Sequence, residues 1–169
     1  GYSFLSGDYS QATNNLKSFV SETIARRVAS QFSLSQVETD LFVDSLVNHE
    51  FDDGTKQLRG QLMGSVTSFV ILCIANASLS RWALEVAEGR KIKFRNCPML
   101  VNGDDLLMKG PDRLFKIWKT ITGEAGLETS VGKTFISKEF GNINSRNFRF
   151  QPDNPWKAEV IDMRQNYRG

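Results

Sequence analysis

Two adjacent carboxylates, Asp104 and Asp105, stand in the run Val101-Asn102-Gly103-Asp104-Asp105-Leu106-Leu107, pinched between a glycine and apolar residues. Met99 to Val101 reads as a short buried strand and Leu106 to Met108 as its return, so Asn102-Gly103 supplies the turn of a hairpin. Two ionised carboxylates held side by side repel. Each raises the pKa of the other or the pair recruits a counter-ion, and a hard divalent cation with oxygen ligands resolves the conflict. The triplet is also ordinary turn composition, because Gly and Asp favour turns for backbone reasons unconnected with chemistry. A third carboxylate, Asp8, ends the first apolar run and precedes the polar stretch Tyr9 to Asn15. Alone it fits a helix N-cap or a turn. If the first strand lies beside the strand pair in an antiparallel sheet, Asp8 stands next to Asp104 and Asp105, and three carboxylates gather at one sheet end. Such a set, without histidine or thiolate, suits Mg²⁺ or Mn²⁺. Two such ions about 4 Å apart activate an attacking hydroxyl and stabilise the leaving oxygen in phosphoryl transfer.

The elements that must hold these residues follow from periodicity. Tyr2 to Asp8 reads as a strand. From Ala12 a helical period places Leu16, Phe19, Val20, Ile24 and Val28 on one face, with Phe32 closing the helix. Ser35-Gln36-Val37-Glu38 is a capping-box pattern that opens a second helix, carried by Val37, Leu41 and Leu46 to about Asn48. A hairpin is expected around Asp52-Asp53-Gly54-Thr55. The loop Gly60-Gln61-Leu62-Met63-Gly64-Ser65 runs into a long helix ending near Glu88. Its backbone N–H groups and small hydroxyls at a helix start suit phosphate or sugar oxygens, and tight packing explains its glycines as well. Ile92 to Phe94 and Met99 to Met108 read as strands, Pro111 as a helix start, and Thr134 to Ser137 and Phe148 to Phe150 as further strands before a polar tail after Gln151. The order indicates an α+β fold, with helices packed on an antiparallel sheet.

Composition removes other chemistries. The 169 residues suffice for one sizeable core, and 40% hydrophobic and 24% charged residues are ordinary for a globular chain. A net charge of +2, with seven Lys/Arg against four Asp/Glu in residues 131–169, permits nucleic acid without demanding it. His49 is the single histidine, which leaves a zinc site or a Ser-His-Asp triad without support. Cys73 and Cys97 lack metal-ligand spacing and read as free thiols. No signal peptide opens the chain, which begins at Gly1 within a strand pattern, as an excised piece of something larger would. The apolar stretch Ser65 to Leu79 is too short and too interrupted by polar residues for a membrane span, and says nothing about membrane association.

Three blocks in register carry a resemblance. Ser6-Gly7-Asp8-Tyr9-Ser10-Gln11-Ala12-Thr13, then Gly60-Gln61-Leu62-Met63-Gly64-Ser65 with Asn76, then Asn102-Gly103-Asp104-Asp105 resemble motifs A, B and C of viral RNA-dependent RNA polymerases. The first block and the stretch from Gly126-Leu127 to Lys133-Thr134-Phe135 resemble most the positive-strand branch that holds narnavirus-like and ourmia-like viruses and RNA phages. The resemblance implies a polymerase palm, with an RRM-like core, over residues 1–150, carrying motifs A to D with room for a motif E, and the start of the next region in 151–169. It implies template-directed RNA synthesis with two Mg²⁺ or Mn²⁺ ions. Asp8 and Asp104 would be principal ligands and Asp105 an auxiliary one. Lys133 would protonate or neutralise the pyrophosphate leaving group, although a solvated strand-end lysine is its ordinary reading. Ser65, Ser68 and Asn76 would serve the nucleotide and its ribose, and Gly60, Gln61 and Gly64 the template and primer loop. Asn14 stands where this branch usually has a second aspartate for the ribose 2′-hydroxyl, and an amide can still bond a hydroxyl.

The implied partners are RNA template, nascent RNA, nucleoside triphosphates, and fingers and thumb regions outside residues 1–169. The implied location is a host cell interior, cytoplasm or mitochondrion, without secretion. Two other readings compete. A noncatalytic RNA-binding module would need aromatics on central strands, whereas here those strand ends carry aspartates. A reverse transcriptase normally has an aromatic residue two places before the double aspartate, where this chain has Asn102.

Overall fold

The computed structural model describes residues 1–62, 64–151 and 154–161. In chain order the elements are β1 (Tyr2–Gly7), α1 (Ala12–Asn15), α2 (Ser18–Gln31), α3 (Gln36–Val47), α4 (Ser68–Glu88), β2 (Met99–Asn102), β3 (Asp105–Pro111), α5 (Leu114–Glu124), β4 (Phe135–Ser137), β5 (Phe140–Ile143), β6 (Arg146–Gln151) and β7 (Asn154–Ile161). The first four strands form an antiparallel sheet in the order β2-β3-β1-β4, and the last three a second sheet, β5-β6-β7. This is the α+β arrangement expected of a palm.

Period-two alternation assigns each face of the first sheet. Leu5, Leu106 and Met108 turn to the helices and join Leu72, Leu84, Leu114, Trp118 and Leu127 in the main core. Phe4 and Leu107 turn the other way and bury against Ile143, Phe148 and Phe150 of the second sheet. The Phe4 and Phe150 rings stack with centroids 3.6 Å apart. Helix α4 runs through the middle, packed by α2, α5 and β3. At 21 residues it is long and apolar enough to cross a bilayer, contrary to the expectation from Ser65 to Leu79, yet half of its apolar window is buried in this core.

Local departures from the sequence reading have physical causes. The single helix expected from Ala12 breaks at Leu16 and Lys17, where ψ reaches 125° and 134°. Gly60 N–H bonds the Leu16 carbonyl at 2.9 Å and Lys17 N–H bonds the Ala125 carbonyl at 2.9 Å, so tertiary partners take the groups a continuous helix would use. The buried stripe of α2 is Ser21, Ala25 and Ala29, leaving Phe19 exposed. Ala25 lets α3 come close, through Val43, Leu46 and Val47. The capping box at Ser35 and Glu38 forms with both reciprocal bonds. Around Gly54 the turn closes through Gly54 N–H to the Phe51 carbonyl at 2.8 Å, and its arms meet at an isolated bridge, Glu50 to Lys56. Ile92 to Phe94 is not a strand: Ile92 N–H is captured by the Glu85 carboxylate at 2.8 Å and a 3-10 turn follows at Phe94–Asn96. Pro111 ends β3 rather than starting α5. Beyond Gln151, where a polar tail was expected, β7 pairs with β6.

Candidate active site

The hairpin between β2 and β3 pairs Asn102 with Asp105, so its two-residue loop is Gly103-Asp104 and not Asn102-Gly103. Gly103 has φ +63° and Asp104 is not among the positive-φ residues, the signature of a type II′ turn with glycine first. A side chain at Gly103 would also crowd Phe69, whose Cε2 lies 3.0 Å from the place of a Cβ. The turn therefore needs its glycine twice. Asp104 sits at the tip and Asp105 at the first position of β3.

β1 lies antiparallel to β3, with Gly7 opposite Leu106, which carries Asp8 to the same sheet end. The Asp8 backbone is tied down there. The Thr134 hydroxyl accepts from Asp8 N–H at 3.2 Å and donates to the Asp8 carbonyl at 3.0 Å, and Ser130 N–H bonds the same carbonyl at 2.8 Å. One oxygen each from Asp8, Asp104 and Asp105 lies within 4.8 Å of the others. Lys133 Nζ reaches Asp8 Oδ2 at 3.4 Å from an exposed position. Asp105 Oδ2 accepts from Asn144 N–H at 3.0 Å, and Asn102 Nδ2 donates to Asn144 Oδ1 at 2.6 Å, which docks the β5–β6 turn on the site.

Partial burial raises the Asp104 carboxyl above the ordinary carboxylate range, with the charges of Asp8 and Asp105 adding to the rise and Lys133 offsetting part of it. A cation would relieve both causes. Three partly exposed carboxylates with oxygen donors only and this spacing fit a hard divalent ion.

Behind the turn lies a buried polar strut. Asn76, fully buried, donates from Nδ2 to the Gly103 carbonyl at 3.0 Å. Its Oδ1 accepts from Tyr9 OH at 3.0 Å and Ser80 Oγ at 3.2 Å. Trp118 Nε1 donates to Ser80 Oγ at 3.1 Å. The segment just after β1, helices α4 and α5 and the carboxylate turn are thus joined around one amide. Burial pushes the Tyr9 hydroxyl far above its ordinary value, so it stays protonated as a donor.

The glycine loop sits to the side. Gly60 has φ +80°, and a Cβ there would strike the Thr13 and Asn14 carbonyls at 2.6 Å. Gln61 N–H donates to the Thr13 carbonyl at 2.6 Å. The Gln61 side chain is buried, donating to Ser21 Oγ at 2.9 Å and accepting from Ser68 Oγ at 2.8 Å. Gln61 and Ser68 thus brace the loop against α2 and do not present their polar groups to a ligand. Gly64 is open on all sides, Ser65 is half-buried beside Thr67, and Asn14 is exposed.

No family model matches the chain. In an alignment 158 positions long that covers 84% of the chain, it is 38% identical to the RNA-dependent RNA polymerase of Ourmia melon virus, isolate Melon/Iran/VE9. The chain is a viral RNA-dependent RNA polymerase palm segment. It spans 18% of the length of that polymerase. The fold of the palm segment is similar to that of the RNA-dependent RNA polymerase of a human picorbirnavirus, with TM-score 0.66, 14% identity, and coverage of 88% of this chain and 29% of that one. It is also similar to telomerase from Candida albicans, with TM-score 0.64, 11% identity, and coverage of 95% and 30%.

Several residues of this palm segment went unread in the sequence. Asn144-Ser145, a turn dipeptide with φ +53° and +59° between two strand patterns, was the visible signal for the contact to Asp105. Tyr9, beside Asp8, gave only an aromatic in a polar run. Cys73, Ser80 and Trp118 gave no signal beyond helical spacing.

Proposed function

We propose that, within its complete polymerase, this segment carries the active site for template-directed RNA synthesis by two-metal nucleotidyl transfer. The observation that carries the reading is the convergence of Asp8, at the end of β1, with Asp104 and Asp105, at the β2–β3 turn, within 4.8 Å. In the reaction the RNA 3′-oxygen forms a bond to the α-phosphorus of a nucleoside triphosphate, the bond from that phosphorus to the bridging oxygen breaks, and pyrophosphate leaves. Asp8 and Asp104 would hold two Mg²⁺ or Mn²⁺ ions, with Asp105 in support. Bound there, the ions would lower the pKa of the 3′-hydroxyl and offset the triphosphate charge.

The protein groups have separate tasks. Thr134 and Ser130 fix the Asp8 backbone, the type II′ turn presents Asp104, and Asn144 N–H orients Asp105. Lys133 lies on the Asp8 side of the cluster, where it can neutralise or protonate the departing pyrophosphate. Asn14 and Ser65 are the accessible candidates for the ribose and Gly64 for template and primer, while Gly60 and Gln61, packed on the Thr13 and Asn14 carbonyls, anchor that loop from within. RNA template, nascent RNA and nucleoside triphosphates are the partners, with fingers and thumb supplied by the rest of the polymerase. The proposed setting is the cytoplasm or mitochondrion of a host cell.

A noncatalytic RNA-binding module gains no support. At the centre of the sheet face that such a module would offer to bases, Phe4 and Leu107 are buried against the second sheet, with Phe4 stacked on Phe150. The test is RNA synthesis on a primed template by the complete polymerase with Mg²⁺ or Mn²⁺, with chelator, and with Asp8→Asn. Activity should vanish in the last two conditions. Undiminished synthesis by Asp8→Asn would exclude Asp8 as a ligand and with it the reading.

A further inference from the structure

Every polar group of the Gly103 peptide unit is claimed by one helix. Cys73 Sγ accepts from Gly103 N–H at 3.1 Å, and Asn76 Nδ2 donates to the Gly103 carbonyl at 3.0 Å. Cys73 and Asn76 are three residues apart on α4, hence neighbours on one helix face. Phe69, four residues before Cys73, packs against Gly103 from the same side. One stripe of α4 therefore grips the first residue of the two-residue loop whose second residue is Asp104.

Asn76 has little left to offer a nucleotide. It is fully buried, its Oδ1 already accepts from Tyr9 and Ser80, and one amide proton serves Gly103. The family resemblance implies a role at the nucleotide and its ribose, whereas the geometry points to the turn. We infer that Cys73 and Asn76 are positioning residues: they clamp the Gly103 backbone from α4 and so set where Asp104 and Asp105 stand, without touching the nucleotide. The inference rests on the polymerase reading above. It gives α4 a direct mechanical line to the carboxylates, and it assigns a cysteine a task as hydrogen-bond acceptor rather than as nucleophile or ligand. A thiol sulfur is a weak acceptor, and a hydroxyl can replace it.

The test uses the complete polymerase carrying Cys73→Val, Cys73→Ser, Asn76→Leu and, as a control on the underlying reading, Asp104→Asn. Cys73→Val keeps the bulk and removes the acceptor. It should lower kcat about tenfold, the size of one lost hydrogen bond, while KM for nucleoside triphosphate stays within about twofold. Cys73→Ser should restore most of the lost kcat. The preference for ribo- over deoxyribonucleoside triphosphates should be unchanged in Cys73→Val and in Asn76→Leu. Wild-type kcat in Cys73→Val, no recovery in Cys73→Ser, or an altered sugar preference in Asn76→Leu would each overturn the clamp. Should Asn76→Leu fail to fold, the two Cys73 variants decide the matter, since Cys73 is only half-buried. Activity surviving in Asp104→Asn would instead sink the polymerase reading, so the two failures remain distinct.

Discussion

The carboxylate end of the sheet and the polar strut beneath it are a few ångströms apart and are built on opposite principles. At the sheet end three like charges converge with, among the described residues, Lys133 in opposition, and Asp104 is held above its ordinary pKa. In the strut, Tyr9, Asn76, Ser80 and Trp118 are buried and each is satisfied by another. The difference teaches where stability and chemistry are kept. A conflicted charge cluster has a use for a cation, and it stays in place because the network that supports it has no conflict of its own.

The contrast is broken most severely at its charged end. Asp104→Asn should reduce RNA synthesis by the complete polymerase on the order of 10²–10³-fold or more, a scale set by losses of electrostatic stabilisation at other active sites. The same change should slightly raise thermal stability, by less than about 1 kcal/mol because solvent screens a partly exposed cluster. Thermal melting of the two proteins checks the sign. Lower melting in Asp104→Asn would mean that the cluster is not in conflict.

Breaking the strut should do the reverse. Ser80→Ala leaves Trp118 Nε1 buried without a partner and removes one donor from Asn76, at a cost of about 1–3 kcal/mol. Denaturant unfolding measures this. A loss below about 0.5 kcal/mol would show that the strut adds little beyond packing.

Acidity sharpens the comparison. Because the folded pKa of Asp104 is raised, its contribution to stability is present below the unfolded value and is lost as pH rises through the folded value. Asp112, lowered by its bond from Ser3, and Glu85, lowered by Ile92 N–H, have the opposite sign and lose their contributions only as pH falls through their lowered values. On acidification from neutrality the wild type should therefore gain stability relative to Asp104→Asn before the other carboxylates erode it. Melting curves of both proteins from pH 7 to about pH 4, the ordinary aspartate value, test this. Parallel curves would mean that the Asp104 carboxyl is not raised by its surroundings.

The smallest effect expected is at Asn14. Asn14→Ala should relax discrimination between ribo- and deoxyribonucleoside triphosphates a few-fold, since one hydrogen bond to an exposed amide is worth about 1 kcal/mol. Single-nucleotide incorporation measures the ratio, and an unchanged ratio would remove Asn14 from the ribose site.

Much of this was legible because local patterns and tertiary demands agreed. The capping box at Ser35 and the long apolar α4 read correctly, and the hairpin around Gly103 did so except for its turn, which sits one residue later than Asn102-Gly103, as each depends on neighbours within a few residues. The three carboxylates could be placed together only by assuming that the first strand lies beside the hairpin, an arrangement periodicity allows and does not dictate. What failed depended on distant partners. The break at Leu16 needs Gly60 and Ala125, and the loss of the Ile92 strand needs Glu85. The strut was illegible because Ser80 and Trp118 look like any residues on helical faces until a fold brings Tyr9, α4 and α5 together.

The central claim is that Asp8, Asp104 and Asp105 form one divalent-ion site. Titration of Mn²⁺ into the complete polymerase, followed by the loss of the free-ion electron paramagnetic resonance signal, measures it without requiring turnover. Specific binding in the wild type should be lost or weakened at least about tenfold in Asp104→Asn, the effect of about 1.4 kcal/mol of lost ligand interaction. Equal Mn²⁺ affinity in the two proteins would contradict the account.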